Sequence, residues 1–430
     1  MKKLIFAVIL FFHFSVFAQD TIKVMSYNLL DYNNYTSYCT SSNNGQTAKD
    51  GYLRTIFSHV TPDIFGAIEV SGANYTSSKR ILDSVLNVNG VTWYKRANFV
   101  NSNGSDIIST LFYNSRKLIL YNQNYLTTGL RDIMIYKLYY NSPDVTALND
   151  TVFLTCVVMH LKAGSTASDL TQRANETMTL MNYLNGLSSM GNCIVMGDFN
   201  VQSSTEDCFQ NLINYSNANV RFYDPVNKLG DWNNNSSFVS YHTQSTSTDA
   251  GNTCKATGGM DDRFDFILAS FYVMNNISKI NYVPGSYLAV GQDGNHFNQS
   301  IDNGTNNSVP ANVLTALAEM SDHLPVTLKL KVSQTPAAGI QGQEYLSDEI
   351  KFVNPVNDVA EFQVYSFVED NFIVTMYNQI GYNIYRTKIP VHPGYNTISI
   401  PTNTYPQGFY FINFSGENKS ATVKVVKKNK

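Results

Sequence analysis

This 430-residue chain has little with which to cross a membrane, bind structural zinc or hold nucleic acid by charge alone. Beyond residue 18 no run is long and apolar enough to read as a membrane-spanning helix. No Cys/His spacing resembles a structural zinc site. No Lys/Arg cluster stands out before Lys424, Lys427, Lys428 and Lys430. Proteins that grip nucleic acid chiefly by releasing counterions are basic, whereas here 30 basic residues face 33 acidic ones. A polyphosphate substrate would therefore have to be held by a metal and a local site. Cysteine is also sparse, at five residues, and an odd number in an exported chain leaves at least one thiol unpaired. Cys156 and Cys193 lie inside apolar stretches and read as small core residues. One disulfide among Cys39, Cys208 and Cys254, which lie in polar segments, is compatible with export; the pair is left open.

Residues 1–18 read as a signal peptide. Lys2 and Lys3 precede an apolar run from Leu4 to Val16, and Val16-Phe17-Ala18 offers a cleavage site before Gln19. No cysteine follows that site directly, which disfavours a lipoprotein anchor. Removing the two lysines leaves 28 bases against 33 acids, a formal charge of −5. The expected mature protein is exported, soluble and monomeric.

Strands are expected at Thr21–Tyr27, Asp63–Ile68, Ser109–Tyr113, Val152–Met159, Cys193–Met196, Arg263–Ala269 and Pro325–Val332. Helical patterns cover Asp50–His59, Ser77–Leu86, Leu170–Asn185 and Pro310–Glu319. Apolar-through strands alternating with amphipathic helices indicate an α/β protein whose sheets are covered. Several strand pairs lack an intervening helix, so two packed mixed sheets with helices outside fit better than a doubly wound sheet. Polar inserts at Gly230–Gly259 and Gly291–Ser308 interrupt the pattern. His242 and His296 within them read as exposed loop histidines. Residues 333–347 read as a linker. From 348 to 430 about seven short alternating segments follow without a helix, which suggests a small immunoglobulin-like antiparallel sandwich.

Chemistry-bearing groups recur at strand ends. Cys-Ile-Val-Met-Gly-Asp198-Phe-Asn200 is an apolar strand that stops on a carboxylate and a carboxamide two residues apart. Desolvating such groups is costly unless a metal, proton partner or substrate engages them. Ser321-Asp322-His323-Leu-Pro places an acid beside an imidazole before another strand. Asn28, Glu69, His160 and Asp265 also sit at or beside apolar strands. Each alone has an ordinary structural explanation; together they suggest a hydrolytic site.

In this order, the set resembles the endonuclease/exonuclease/phosphatase family, over about residues 20–332. The resemblance implies a four-layer α/β sandwich of two mixed sheets flanked by helices, and hydrolysis of phosphate esters with a divalent metal, Mg²⁺ with Mn²⁺ or Ca²⁺ as alternatives. Glu69, Asn28 and Asp322 suit a hard cation. Asp198 would orient or deprotonate the attacking water, held by Asn200. Asp265 would hydrogen-bond His323, which with His160 would donate to a phosphate oxygen or serve as general base and acid. Arg96, Arg173 and Arg263 are candidate phosphate contacts, though each reads more readily as structural. Phe352-Val-Asn-Pro355-Val, Gly408-Phe-Tyr-Phe and the lysine-rich last strand resemble the C-terminal sorting domain of type IX secretion. That implies a Gram-negative, Bacteroidetes-type bacterium, passage through the periplasm to the surface or medium, and the type IX secretion machinery as a partner. The expected function is a secreted metal-dependent nuclease acting on extracellular nucleic acid. A sphingomyelinase-like phospholipid phosphodiesterase, a monoester phosphatase and a non-catalytic binding protein on the same scaffold are the alternatives.

Overall fold

The computed structural model describes residues 19–142, 145, 149–333, 350–366, 369–379, 381–392, 394–415 and 420–428. The expected signal peptide and nearly all of the expected linker lie outside them. The chain divides into two compact units, within residues 1–336 and 337–430.

In the first unit the strands are β1 (Gln19–Tyr32), β2 (Ile64–Ser71), β3 (Tyr94–Arg96), β4 (Ile107–Asn114), β5 (Leu118–Leu126), β6 (Ile133–Tyr140), β7 (Phe153–His160), β8 (Cys193–Asp198), β9 (Phe222–Tyr223), β10 (Asp265–Ser270), β11 (Ile280–Tyr282), β12 (Leu288–Ala289) and β13 (Val326–Ser333). The helices are α1 (Gln46–Val60), α2 (Thr76–Ile81), α3 (Ala167–Asn185), α4 (Asp207–Ile213), α5 (Phe271–Asn275) and α6 (Ala311–Met320). One sheet has the order β11-β13-β1-β2-β4-β3, with β12 paired to β13, and the other the order β5-β6-β7-β8-β10-β9.

Strand alternation builds the layers. Ile22, Val24, Cys156, Val158, Ile194, Met196 and Leu328 join one core between the sheets. Their sequence neighbours Val157, Met159 and Val195 turn to the opposite face and pack with Leu180, Met181 and Leu184 of α3 and Phe209 of α4. Met25 and Phe65 likewise pack against Leu53, Ile56 and Phe57 of α1 and Val313 and Leu317 of α6. A strand buried on both faces must read as continuously apolar, which is why these do. The result is helix, sheet, sheet, helix, as expected. Thr166 caps α3, its hydroxyl accepting from the Asp169 N–H while the Asp169 carboxylate returns to the Thr166 N–H.

β3, β5, β6, β9, β11 and β12 lie where no strand is expected, and the helix expected at Ser77–Leu86 is α2 followed by a π-helical turn over Leu82–Leu86.

The second unit holds β14 (Ile350–Phe352), β15 (Val359–Ser366), β16 (Asp370–Asn378), β17 (Asn383–Val391), β18 (Gly394–Pro401), β19 (Gly408–Ser415) and β20 (Ser420–Lys427). They form antiparallel sheets β14-β15-β18 and β17-β16-β19-β20. Ala360, Phe362, Val374, Met376, Ile398, Ile412 and Phe414 share one core, so this is the small all-β sandwich expected.

Candidate active site

Topology brings the polar strand ends to one rim. The pairs β1–β2 and β7–β8 run parallel, so their C-terminal ends lie together. β10 runs against β8, setting Asp265 opposite Asp198, and His160 lies opposite Asp198 from the other side. β13 runs against β1 with Val326 opposite Ser26, which returns Asp322 and His323 to the same rim. Register breaks between Asn28 and Tyr32 and between Ala67 and Val70 mark bulges. Within the second, Glu69 takes a left-handed φ of 59°. Bulges re-aim side chains, and here the Glu69 carboxylate accepts from Asn28. Gly197, at φ 146°, is required before Asp198, because a Cβ there would lie 1.7 Å from the Met159 carbonyl oxygen.

All eight anticipated residues gather here. The Asn28 amide donates to Glu69 Oε1 and to Asp198 Oδ2, each at 3.0 Å. The Asn28 side-chain oxygen accepts from the Leu30 N–H at 2.9 Å, so in this arrangement Asn28 ties two carboxylates together. The Asp31 N–H donates to Glu69 Oε2 at 2.9 Å. His160 Nε2 lies 3.5 Å from Asp198 Oδ2 and 3.8 Å from Glu69 Oε1, and His323 Nε2 is 3.8 Å from the same Asp198 oxygen. His323 Nδ1 donates to Asp265 Oδ2 at 2.7 Å. The Asn200 backbone N–H donates to Asp198 Oδ1 at 3.0 Å, while its side chain donates to the Leu161 carbonyl at 3.2 Å. Asn200 therefore holds Asp198 by its main chain. Asp322 Oδ2 accepts from the Ala256 N–H at 2.9 Å.

Burial and neighbouring charge divide the roles. Burial pushes the Asp198 carboxyl up to about 7, against the opposing pull of His323. Burial also raises Glu69. The two histidines part company. Burial, with Arg131 and His323 nearby, drives His160 well below the usual imidazole range. Burial would lower His323 too, but the carboxylates of Asp265 and Asp198 overcome it and hold the ring protonated well above that range. One imidazole is thus neutral and the other cationic, on either side of one carboxylate.

The donor set fits a divalent cation. Ligand atoms of Glu69, His160 and Asp198 all lie within 4.8 Å of one another. Asp322 Oδ1 is buried with no hydrogen-bond partner among the described residues, and an unpaired buried carboxylate oxygen is costly without a counter-charge. Hard anionic oxygens of this kind suit Mg²⁺, Mn²⁺ or Ca²⁺.

Several site residues escaped the sequence. Thr243 donates its hydroxyl to Asp265 Oδ2 at 2.7 Å, and the Gln244 amide lies 2.7 Å from His323 Nε2. Both come from the Gly230–Gly259 insert, whose polarity was the single signal available. Arg131 precedes β6 and donates to the carbonyls of His160 and Leu161 at 3.0 and 2.8 Å. The arginines singled out earlier differ. Arg173 is buried on Glu206 and Arg263 on Asp224, at 2.7 and 2.9 Å, as structural ion pairs. Arg96 lies over the Tyr75 ring at 6.0 Å. His242 and His296 are not exposed, contrary to expectation. His242 bridges the Met260 and Trp232 carbonyls, and His296 bridges Asp293 and the Asn303 carbonyl. Cys39 and Cys254 form the disulfide, and Cys208 is a buried free thiol on α4.

The profile of the Secretion system C-terminal sorting domain matches residues 352–428, the second unit. No curated protein sequence matches the chain. Among solved structures, a humanized Danio rerio TDP2 aligns at 13% identity over 72% of this chain and 98% of its own, with a TM-score of 0.43. An endonuclease/exonuclease/phosphatase from Beutenbergia cavernae aligns at 12% identity over 94% and 99%, TM-score 0.42. The human Nocturnin catalytic domain aligns at 16% over 73% and 96%, TM-score 0.40. Likeness at this level bears on no functional conclusion. Among the described residues, no helix is long and apolar enough to cross a membrane.

Proposed function

We propose that the first unit is a metal-dependent phosphoric ester hydrolase, a phosphodiesterase acting on extracellular nucleic acid, exported through the type IX route by its C-terminal sorting sandwich. The observation that carries the reading is the convergence of His160 Nε2 and His323 Nε2 on one oxygen of the buried Asp198 carboxylate, beside Glu69. Glu69 and Asp322 would hold the cation, with Asn28 alongside. Bound there, the metal would polarise a phosphoryl oxygen and offset charge on the leaving group.

The protein's own groups account for the rest. Asp198, poised at about 7 by burial, accepts a proton from water near neutral pH. The Asn200 N–H fixes one Asp198 oxygen and leaves the other facing both histidines. Protonated His323, oriented by Asp265, donates to a non-bridging phosphate oxygen and stabilises developing negative charge. With its proton on Nε2, neutral His160 would donate to the same region, so that the phosphate meets donors from two sides.

A lipid-directed enzyme would carry an exposed aromatic anchor near the site, for which Phe271-Tyr272 and Tyr282–Tyr287 are the candidates. Tyr282 and Tyr287 are buried. Phe271 is exposed but follows the far end of β10, whose near end carries Asp265; six residue steps separate the two by roughly 20 Å. The test is hydrolysis of plasmid DNA, RNA, sphingomyelin and p-nitrophenyl phosphate esters by the full chain, with Mg²⁺ or with EDTA. Nucleic-acid cleavage abolished by EDTA and by His323→Ala is expected. EDTA-resistant cleavage, or cleavage undiminished by the substitution, would overturn the assignment.

A further inference from the structure

The Cys39–Cys254 disulfide joins positions 215 residues apart and lies between the two halves of the candidate site. On one side, Cys39 packs with Leu30. Leu30 and Asp31 both take left-handed backbone conformations, φ 49° and 48°, and are braced there by Asn44 and Lys49, whose side chains donate to the Leu30 carbonyl at 3.0 and 2.7 Å. The Asp31 N–H is the group that holds Glu69 Oε2. On the other side, Cys254 stands two residues before Ala256, whose N–H holds Asp322 Oδ2. The same insert hydrogen-bonds along the Asp322 segment, through Thr246 N–H to the Asp322 carbonyl at 3.0 Å and Leu324 N–H to the Thr243 carbonyl at 2.7 Å. Each half-cystine is thus one short relay from a different candidate ligand carboxylate.

Little else fastens the two loops together. Besides the disulfide and the small Leu30–Cys39–Cys254 cluster, the links between them among the described residues are Asn43 to Thr253 at 3.2 Å, Thr253 to the Tyr38 carbonyl at 3.1 Å and Asn252 to the Asn43 carbonyl at 3.3 Å. All three are long, two are exposed, and water competes for such bonds. The other thiols do not compete for oxidation. Cys156, Cys193 and Cys208 are buried, and burial raises each, Cys208 to about 12.

From this we infer that Cys39–Cys254 is a positioning bond that braces Asp322 against Glu69, over and above the β1–β13 pairing and the Ser321 hydroxyl's 2.8 Å bond to the Asn28 carbonyl, so that the chain reaches its full cation affinity only when oxidised. The inference rests on the metal-dependent reading above. Formation is thiol–disulfide exchange: two cysteine thiols give up two protons and two electrons to the disulfide of an oxidoreductase, which leaves as a dithiol. In a reducing compartment the chain is therefore held at low cation affinity, and export raises it.

The experiment compares oxidised full-length protein, the same protein reduced with dithiothreitol and alkylated, and Cys39→Ala/Cys254→Ala. Mn²⁺ affinity is read by isothermal titration calorimetry, alongside kcat and KM on bis-p-nitrophenyl phosphate. Circular dichroism fixes a working temperature at which all three are folded. Loss of the bond weakens Mn²⁺ binding roughly 10- to 100-fold, as for lost supports of metal ligands. High Mn²⁺ restores kcat, and reoxidation of reduced, unalkylated protein restores affinity. A lower melting temperature with unchanged Mn²⁺ affinity would reduce the disulfide to a stabilising staple and overturn the inference. Oxidised protein that neither binds Mn²⁺ nor hydrolyses the ester would instead sink the enzymatic reading itself. If the alanine pair does not fold, the reduced and alkylated wild type decides.

Discussion

Asp265→Asn isolates the step at which sheet geometry becomes electrostatics. Asp265 is fully buried, and its Oδ2 accepts from His323 Nδ1 and from the Thr243 hydroxyl, each at 2.7 Å. Asparagine keeps the volume and removes the charge. A hydrogen bond to a charged group is worth about 1.5–3 kcal/mol. If that stabilisation of the imidazolium is felt fully in the transition state, at 1.36 kcal/mol per tenfold, kcat falls by about 10- to 150-fold. KM should change little, because the ground-state phosphate keeps its other partners. The His323 pKa should fall toward the ordinary imidazole range, which proton NMR of the ring reports directly. Steady-state hydrolysis of bis-p-nitrophenyl phosphate at saturating Mg²⁺ gives the kinetic half of the test. Wild-type kcat in a folded variant whose His323 still titrates as before would refute the reasoning.

Three further outcomes are expected. Glu69→Gln removes an anionic oxygen while keeping the shape, and should weaken Mn²⁺ binding by at least roughly tenfold in calorimetry; unchanged affinity would place the cation elsewhere. Asp198 acts in its deprotonated form, and its carboxyl is pushed up to about 7, so kcat/KM should climb as pH rises through neutrality and level off while His323 keeps its proton. A profile flat over roughly pH 6 to 8 would count against Asp198 as the base. Gly197→Ala would set a methyl 1.7 Å from the Met159 carbonyl oxygen in the middle of a sheet, and should cost about 3 kcal/mol or more. Urea denaturation showing a near-normal midpoint would mean that β7 and β8 separate more easily than their pairing suggests.

The candidate residues were legible because their signals are local. A buried strand must be apolar along its length, so a strand that stops on Gly-Asp-x-Asn, or one preceded by Ser-Asp-His, announces a polar group at a sheet edge without any knowledge of the sheet. The same locality separated the helix-free C-terminal segments from the sandwich before them. β5 lacks such a signal because Asn122, Gln123 and Asn124 interrupt its apolar run and most of it is only half-buried, whereas β6 is apolar but ends on no chemistry-bearing group.

What tertiary structure decided is everything that depends on distant segments meeting. Parallel β1–β2 and β7–β8 pairs, with β10 and β13 returning antiparallel, place the strand ends on one rim. No local pattern records that. Two histidines part in charge state because burial, with Arg131 nearby, lowers one, while the carboxylates of Asp265 and Asp198 outweigh burial at the other. Thr243 and Gln244 entered the site from a loop with no motif, and Cys254 chose Cys39 over Cys208 because the loops beside Leu30 and Ala256 converge. Residue type and spacing determine which groups are costly to bury. The packing of the two sheets and of the loops at their rim determines which of those groups stand close enough to share a charge.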